Sequence, residues 1–226
     1  GHPVYFIAEV GINHNGNPEM ARRLIDLAAD AGADAVKFQK RNLRQVYPQD
    51  ILSGAASTHK EVQYILDYLT EFELSDEVFR ELADYARSKG LEFLCSPWDR
   101  DSVDFLEDIG VPAYKIASAD MTNFPLLEYV ARTGKPMIVS TGMSDWEEIV
   151  RTVEFLRSLG VEFALLHCQS TYHADGHTKH DKVEKKLRQF AVSEFTGYYL
   201  PPPKPQDCHH GNNYREAHQG GIKSYL

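Results

Sequence analysis

Two lysines, Lys37 and Lys115, sit inside short apolar runs, residues 35–39 and 113–117, where a charge is out of place. An unpaired buried ammonium costs several kcal/mol, so each must meet an anion or pair with an acid. Polar groups close the other runs of this kind. Glu9 stands near the end of residues 4–10, with Asn13 and His14 just beyond, and Gln39 follows Lys37 at alternate spacing. Ser96 follows residues 91–95, Ser118 follows Lys115, and Ser140 and Thr141 close residues 136–140. His167, Gln169, Ser170 and Tyr172 close the sixth run. Lysines supply point charge and hydroxyls donate hydrogen bonds, a combination suited to a phosphorylated carboxylate. Two other readings use the same residues. In one, Lys37 and Lys115 pair with Glu9 or a loop acid and only hold the fold together. In the other, one lysine is the Schiff-base nucleophile of an aldolase, which demands a depressed lysine pKa.

For these groups to act together, six strand ends must meet at one place. The chain repeats a strand-then-helix unit that can do this. Residues 18–31 predict a helix, with Met20, Leu24, Leu27, Ala28 and Ala31 at helical spacing and Gly32 after it. Gly90, Gly110, Gly134 and Gly160 recur at intervals of 20, 24 and 26 residues, each followed by an apolar run, so each interval holds one β/α unit. Continuous apolar strands covered by helices imply a parallel sheet, and a β/α barrel collects its active site at the carboxyl ends of its strands. Residues 40–75 read as an insertion with a helix near 60–70. The pattern stops after Tyr172. Residues 173–226 hold six of the ten histidines and the segment Pro201-Pro202-Pro203-Lys204-Pro205, with a helix expected over 182–192 and loop-like chain elsewhere. The expected fold is α/β, a TIM (β/α)8-type barrel over residues 1–172, incomplete after the sixth strand, with a divergent segment at 173–226.

Composition narrows the function. The 226 residues allow one barrel-sized core, and 42% hydrophobic with 25% charged residues is ordinary for a globular protein. A net charge of −9 argues against a nucleic-acid binder or a basic membrane-surface protein, so an anionic substrate needs a local cluster of cations. No apolar run reaches the ~18 residues of a spanning helix, and no signal peptide is visible. Cys95, Cys168 and Cys208 are odd in number and widely spaced, which suggests neither a disulfide framework nor a zinc knuckle and makes a reducing cytoplasm the default compartment. Cys95 and Cys168 read as buried thiols, Trp98 and Trp146 as packing residues, and Asp99, Arg100 and Asp101 as the start of a solvated helix. The chain does not begin with Met, so Gly1-His2 reads as a cut end or a scar.

Six motifs carry a family resemblance. Ile7-Ala8-Glu9-Val10-Gly11-Ile12-Asn13-His14-Asn15-Gly16 resembles the opening signature of the N-acetylneuraminate (sialic acid) synthases, a family that includes spore-coat and surface polysaccharide sugar-acid synthases. Val36-Lys37-Phe38-Gln39, Ser96-Pro97-Trp98-Asp99, Tyr114-Lys115-Ile116-Ala117-Ser118, Ser140-Thr141-Gly142-Met143 and Leu166-His167-Cys168-Gln169-Ser170-Thr171-Tyr172 are similar to its later motifs, in order, over residues 4–172. The resemblance implies a (β/α)8 barrel, often with a small antifreeze-like domain and a homodimeric assembly. It implies condensation of phosphoenolpyruvate with an open-chain N-acylamino sugar such as N-acetylmannosamine, using a divalent metal, Mn2+ or Mg2+. By the same resemblance Lys37, Lys115, Ser118 and Ser140 hold phosphoenolpyruvate, Ser96 stands where the family commonly has Thr, and Glu9 handles a proton. Asn13, Gln39 and Tyr172 are its sugar-side contacts.

The departures lie in the last quarter. The family's two metal-binding histidines, in a Ser-x-His and a Glu-Arg-His segment, have no counterpart here, and His173 stands where proline usually follows Tyr172. No segment matches the antifreeze-like domain. His177, His180, His209 and His210 offer themselves as replacement ligands, although histidines clustered in a polar tail are more often solvated. A catalytically inactive barrel remnant that binds anions or partners is therefore the reading opposed to the synthase. Within enzymes, the alternative is another phosphoenolpyruvate-dependent aldolase-type synthase, such as one using arabinose 5-phosphate, which needs further Arg or Lys at the mouth, and the sequence shows no clear set of them.

Overall fold

A computed structural model describes residues 4–53 and 60–168. Six parallel strands pair in sequence order: β1 (Ile7–Gly11), β2 (Ala35–Lys40), β3 (Glu92–Pro97), β4 (Tyr114–Ile116), β5 (Met137–Ser140) and β6 (Phe163–Leu166). Between them run α1 (Pro18–Asp30), the short α2 (Leu43–Val46) and α3 (Gln49–Leu52), then α4 (Lys60–Glu71), α5 (Asp76–Ser88), α6 (Arg100–Ile109), α7 (Phe124–Ala131) and α8 (Trp146–Ser158). Right-handed crossovers between strands that never reverse order place every helix on one side of the sheet. An open doubly wound sheet requires a reversal; its absence among the described strands makes this the wall of a TIM-type barrel.

Local sequence sets the helix limits. Asn17 caps α1 by accepting from the Glu19 and Met20 amides, with Pro18 at the first turn, and Ala21, Ile25 and Ala28 form its buried stripe. In α8, Asp145 and Glu148 form a reciprocal capping box at 2.8 and 2.9 Å. Gly110 ends α6 in the left-handed conformation at φ 76°, which a β-carbon would resist.

The core lies between the helices and the outer face of the sheet. Val36, Phe38, Phe93, Cys95, Tyr114, Ile116, Met137 and Val139 are buried there, and Phe38 stacks on Phe93 with centroids 5.1 Å apart. Burying each large apolar side chain contributes about 1.5–3 kcal/mol. Strand residues alternate, so the intervening positions face the barrel interior. Those are Glu9, Lys37, Gln39, Leu94, Ser96, Lys115, Ile138 and Ser140.

Three expectations change. The first strand begins at Ile7 rather than residue 4, because pairing starts at Ile7 with Ala35 and leaves Val4, Tyr5 and Phe6 exposed. Asp99 does not start a solvated helix. It is buried, and its carboxylate accepts from the Ser102 amide and hydroxyl and from the Asn42 amide, tying the β2 end to α6, while Arg100 and Asp101 are exposed. Cys168 is half-buried rather than buried, with its thiol donating to Ser140 Oγ at 3.3 Å. The helix expected at 182–192, Tyr172 and the segment 173–226 lie outside the described residues. No described helix is long and apolar enough to cross a membrane.

Candidate active site

The parallel register builds the site. Glu9 on β1 pairs with Lys37 on β2, and Gln39 pairs with Ser96 on β3. Cys95 pairs with Tyr114, so the residues that follow them, Ser96 and Lys115, share the interior face. Lys37 Nζ lies 2.5 Å from Glu9 Oε2 and donates to Ser96 Oγ at 3.4 Å. Glu9, Lys37 and Ser96 thus form one contact chain across three strands.

Lys115 completes the cluster differently. Its ammonium donates only to its neighbour's carbonyl, Ile116 O, at 3.0 Å and pairs with no acid among the described residues. Burial, with the Lys37 ammonium adding to it, pushes the Lys115 pKa down to about 8. The Cys168 thiol and Glu9 oppose that shift, so all four groups share one neighbourhood. The two lysines therefore point to the same end. Lys37 takes the structural pairing with Glu9; Lys115 does not.

The other expected residues divide. Ser140 is buried and accepts from the Cys168 thiol. Ser118 Oγ accepts from the Gly142 amide at 3.2 Å, linking the loop after β4 to the loop after β5. Gln39 Oε1 accepts from Arg41. Asn13 is exposed and its amide donates to Val10 O at 3.0 Å, closing the turn after β1. His14 is buried against Phe38, which holds its pKa down to about 4, and its neutral ring accepts from the Gly16 amide. Cys95 is buried and its thiol is pushed up to about 12, so it is inert.

Gly11 fixes where the Glu9 carboxylate sits. Its φ is +54°, and a β-carbon there would lie 2.9 Å from Glu9 Oε1, a buried oxygen without a partner among the described residues. Gly11→Ala is expected to displace that carboxylate and cost about 1–2 kcal/mol of stability. Urea denaturation checks it; an unchanged midpoint would mean the bulge after Glu9 is not strained.

Sequence reasoning missed Arg41 and gave Trp98 a packing role. The Arg41 guanidinium lies over the Trp98 ring, 4.6 Å from its centroid. The signal was present, because Arg41 continues the alternation Lys37, Gln39 past the strand end. Asp120, in the turn Ser118–Asp120, is a second omission. Burial raises its pKa, and Oδ2 has no partner among the described residues.

The NeuB family model matches residues 24–194. The chain belongs to the NeuB family. It is 44% identical over 173 residues to an uncharacterised protein of Methanocaldococcus jannaschii, covering 76% of this chain and 48% of that one. It is 36% identical over 172 residues to the N-acetylneuraminate-9-phosphate synthase of Homo sapiens, again covering 76% and 48%. Its fold matches the crystal structure of N-acetylneuraminic acid (sialic acid) synthetase from Leptospira borgpetersenii, in complex with citrate, with a TM-score of 0.73 at 31% identity. That match covers 88% of this chain and 64% of the other. The chain spans about half the length of the curated NeuB relatives it matches. Among the described residues, no three His, Cys, Asp or Glu side chains gather as a metal site.

Proposed function

We propose that this chain forms the phosphoenolpyruvate-binding part of a sugar-acid synthase, condensing phosphoenolpyruvate with an open-chain N-acylamino sugar such as N-acetylmannosamine. The carrying observation is that Lys115, without an acid partner among the described residues, shares one interior face with Lys37 and Ser96, its pKa held down by burial and then by the Lys37 ammonium. Two ammonium groups held together on one interior face favour a polyanion, and Ser96 and Ser140 add hydroxyls to the same face. Membership of the NeuB family supports the same reading, and the Leptospira relative was crystallised with citrate, itself a polyanion.

In the reaction, C3 of phosphoenolpyruvate forms a bond to the sugar aldehyde carbon, and the aldehyde oxygen takes a proton. Water adds at C2, and the C–O bond to phosphate breaks from the tetrahedral intermediate. Lys115 and Lys37 stabilise charge that grows on the departing phosphate. Glu9, hydrogen-bonded to Lys37, is placed to pass a proton to the aldehyde oxygen or take one from water. The divalent metal that the resemblance implies has no group of three His, Cys, Asp or Glu side chains to hold it among the described residues.

Mixing the protein with phosphoenolpyruvate, N-acetylmannosamine and Mn2+ and following phosphate tests this. Acceptor-dependent release is expected; bound phosphoenolpyruvate with no release would support an inactive anion-binding barrel instead.

The depressed Lys115 pKa favours one competing reading, a Schiff-base aldolase. There the Lys115 amine would displace water from a 2-keto acid to form an iminium. Borohydride with pyruvate should then add mass at Lys115 irreversibly. No such adduct is expected here, because an anion over Lys115 restores its proton.

A further inference from the structure

Two serines of the lysine site are buried with a proton still to give. Ser96 and Ser140 are only 2% and 4% exposed. Ser96 Oγ accepts from the Lys37 ammonium at 3.4 Å, and Ser140 Oγ accepts from the Cys168 thiol at 3.3 Å. Among the described residues, neither hydroxyl donates to a protein acceptor. A hydroxyl has one proton and two lone pairs, so a fixed donor on its oxygen leaves the O–H to be met elsewhere. Buried polar groups are as a rule satisfied, so each of these protons calls for an acceptor in the barrel interior. Ser118 repeats the arrangement in the next loop, where its oxygen accepts from the Gly142 amide at 3.2 Å.

The donor on Ser140 differs from the other two. An ammonium and a backbone amide can only donate, whereas a thiol can donate or accept. Sulfur accepts weakly and a hydroxyl oxygen accepts well, so the pair settles with the thiol proton on Ser140 Oγ. The fold holds that pair in place. Ser140 pairs with Leu166 across β5 and β6, and Cys168 follows Leu166 at alternate spacing, on the same side of the sheet. Thr141 donates both its amide and its hydroxyl to Leu166 O, at 3.1 and 3.0 Å, which clamps the two strand ends together. Cys168 is also an electrostatic neighbour of Lys115, so the thiol stands at the anion site itself. The reaction steps above give it no part.

We propose that Cys168 is a positioning residue: its thiol occupies the accepting side of Ser140 and so commits the Ser140 proton to an anionic oxygen of phosphoenolpyruvate. Lys37 plays the same part for Ser96, and the Gly142 amide plays it for Ser118. This rests on the phosphoenolpyruvate-binding reading above. The serines are then donors throughout, and the ligand oxygens they meet are unprotonated ones. Without the thiol, Ser140 is free to turn its proton away from the ligand, and part of its contribution is lost.

The test is calorimetric affinity for phosphoenolpyruvate in wild type, Ser140→Ala, Cys168→Ala, Cys168→Val, Cys168→Ser and the double variant Ser140→Ala/Cys168→Ala. Ser140→Ala should weaken binding by about 10–100-fold, the range for a hydrogen bond to a charged group. Cys168→Ala should weaken it by about five- to tenfold, and Cys168→Val, which fills the space without a donor, should match it. Cys168→Ser restores a donor and should stay within about twofold of wild type. In the double variant the loss should equal that of Ser140→Ala to within about twofold, because the thiol acts only through that hydroxyl. Wild-type affinity in Cys168→Ala and Cys168→Val would overturn the inference, as would a Cys168→Ser as weak as they are. So would a full further loss from Cys168→Ala once Ser140 is gone, the mark of a merely structural thiol. Each of these results leaves the phosphoenolpyruvate reading standing. Wild type that fails to bind phosphoenolpyruvate would instead remove the reading on which the inference rests.

Discussion

Lys115→Met is expected to weaken phosphoenolpyruvate binding by about 100-fold or more while making the protein more stable at pH 7. The first effect follows from removing a half-buried cation that meets the ligand's charge, a loss worth up to about 3–5 kcal/mol when a buried pair is broken. The second follows from linkage. Burial, followed by the Lys37 charge, lowers the folded-state pKa to about 8 from an ordinary 10.5. Below about pH 8 the folded protein carries an ammonium it disfavours. Between pH 8 and 10.5 the unfolded chain binds more protons than the folded one, so wild-type stability rises with pH across that window. Methionine removes the charge and keeps the length, so a gain of roughly 1–3 kcal/mol at pH 7 and a flatter stability curve above pH 8 are expected. Calorimetric binding and thermal denaturation check the two parts. A lysine that merely held the fold would give the opposite sign in the second, because its loss would destabilise.

Glu9→Gln is the other large effect, and it too separates binding from chemistry. The carboxylate lies against Lys37 Nζ, 2.5 Å away, on the same interior face as Ser96. Glutamine keeps the shape and removes the charge. Lys37 is then free to meet phosphoenolpyruvate alone, so affinity should rise a few-fold. Turnover should fall by roughly 10²–10⁴, the range set by loss of a positioned proton carrier. Steady-state phosphate release with separate measurement of ligand affinity decides it. Turnover within tenfold of wild type would remove Glu9 from proton transfer.

What was legible in the sequence was the placement of charge against period. Lys37 and Lys115 interrupt apolar runs, and glycine-terminated helices between them fix the parallel strands, so a shared rim follows from alternation and strand direction. The motifs at Glu9, Lys37, Ser96, Lys115 and Ser140 pointed to the family that the comparisons show. Pairing was not legible. Glu9 meets Lys37 because β1 and β2 are in that register, and nothing in the one-dimensional pattern says that Lys115 lacks such an acid among the described residues. Arg41 was not legible because the apolar run ends before it, although the side-chain alternation continues one step further into the loop. Asp99 was misjudged for a similar reason. Acidic helix starts are usually solvated, but here the insertion after β2 brings the Asn42 amide onto that carboxylate.

In the proposed site Lys37 and Lys115 together meet an enol phosphate, and burial holds the Lys115 pKa down to about 8 until the ligand arrives. Measuring the enthalpy of phosphoenolpyruvate binding at pH 8.5 in buffers of different ionisation enthalpy counts the protons exchanged. Uptake of well over half a proton is expected from a lysine with pKa about 8, and it should vanish in Lys115→Met. Binding with no proton uptake, or uptake that persists in Lys115→Met, would contradict the account.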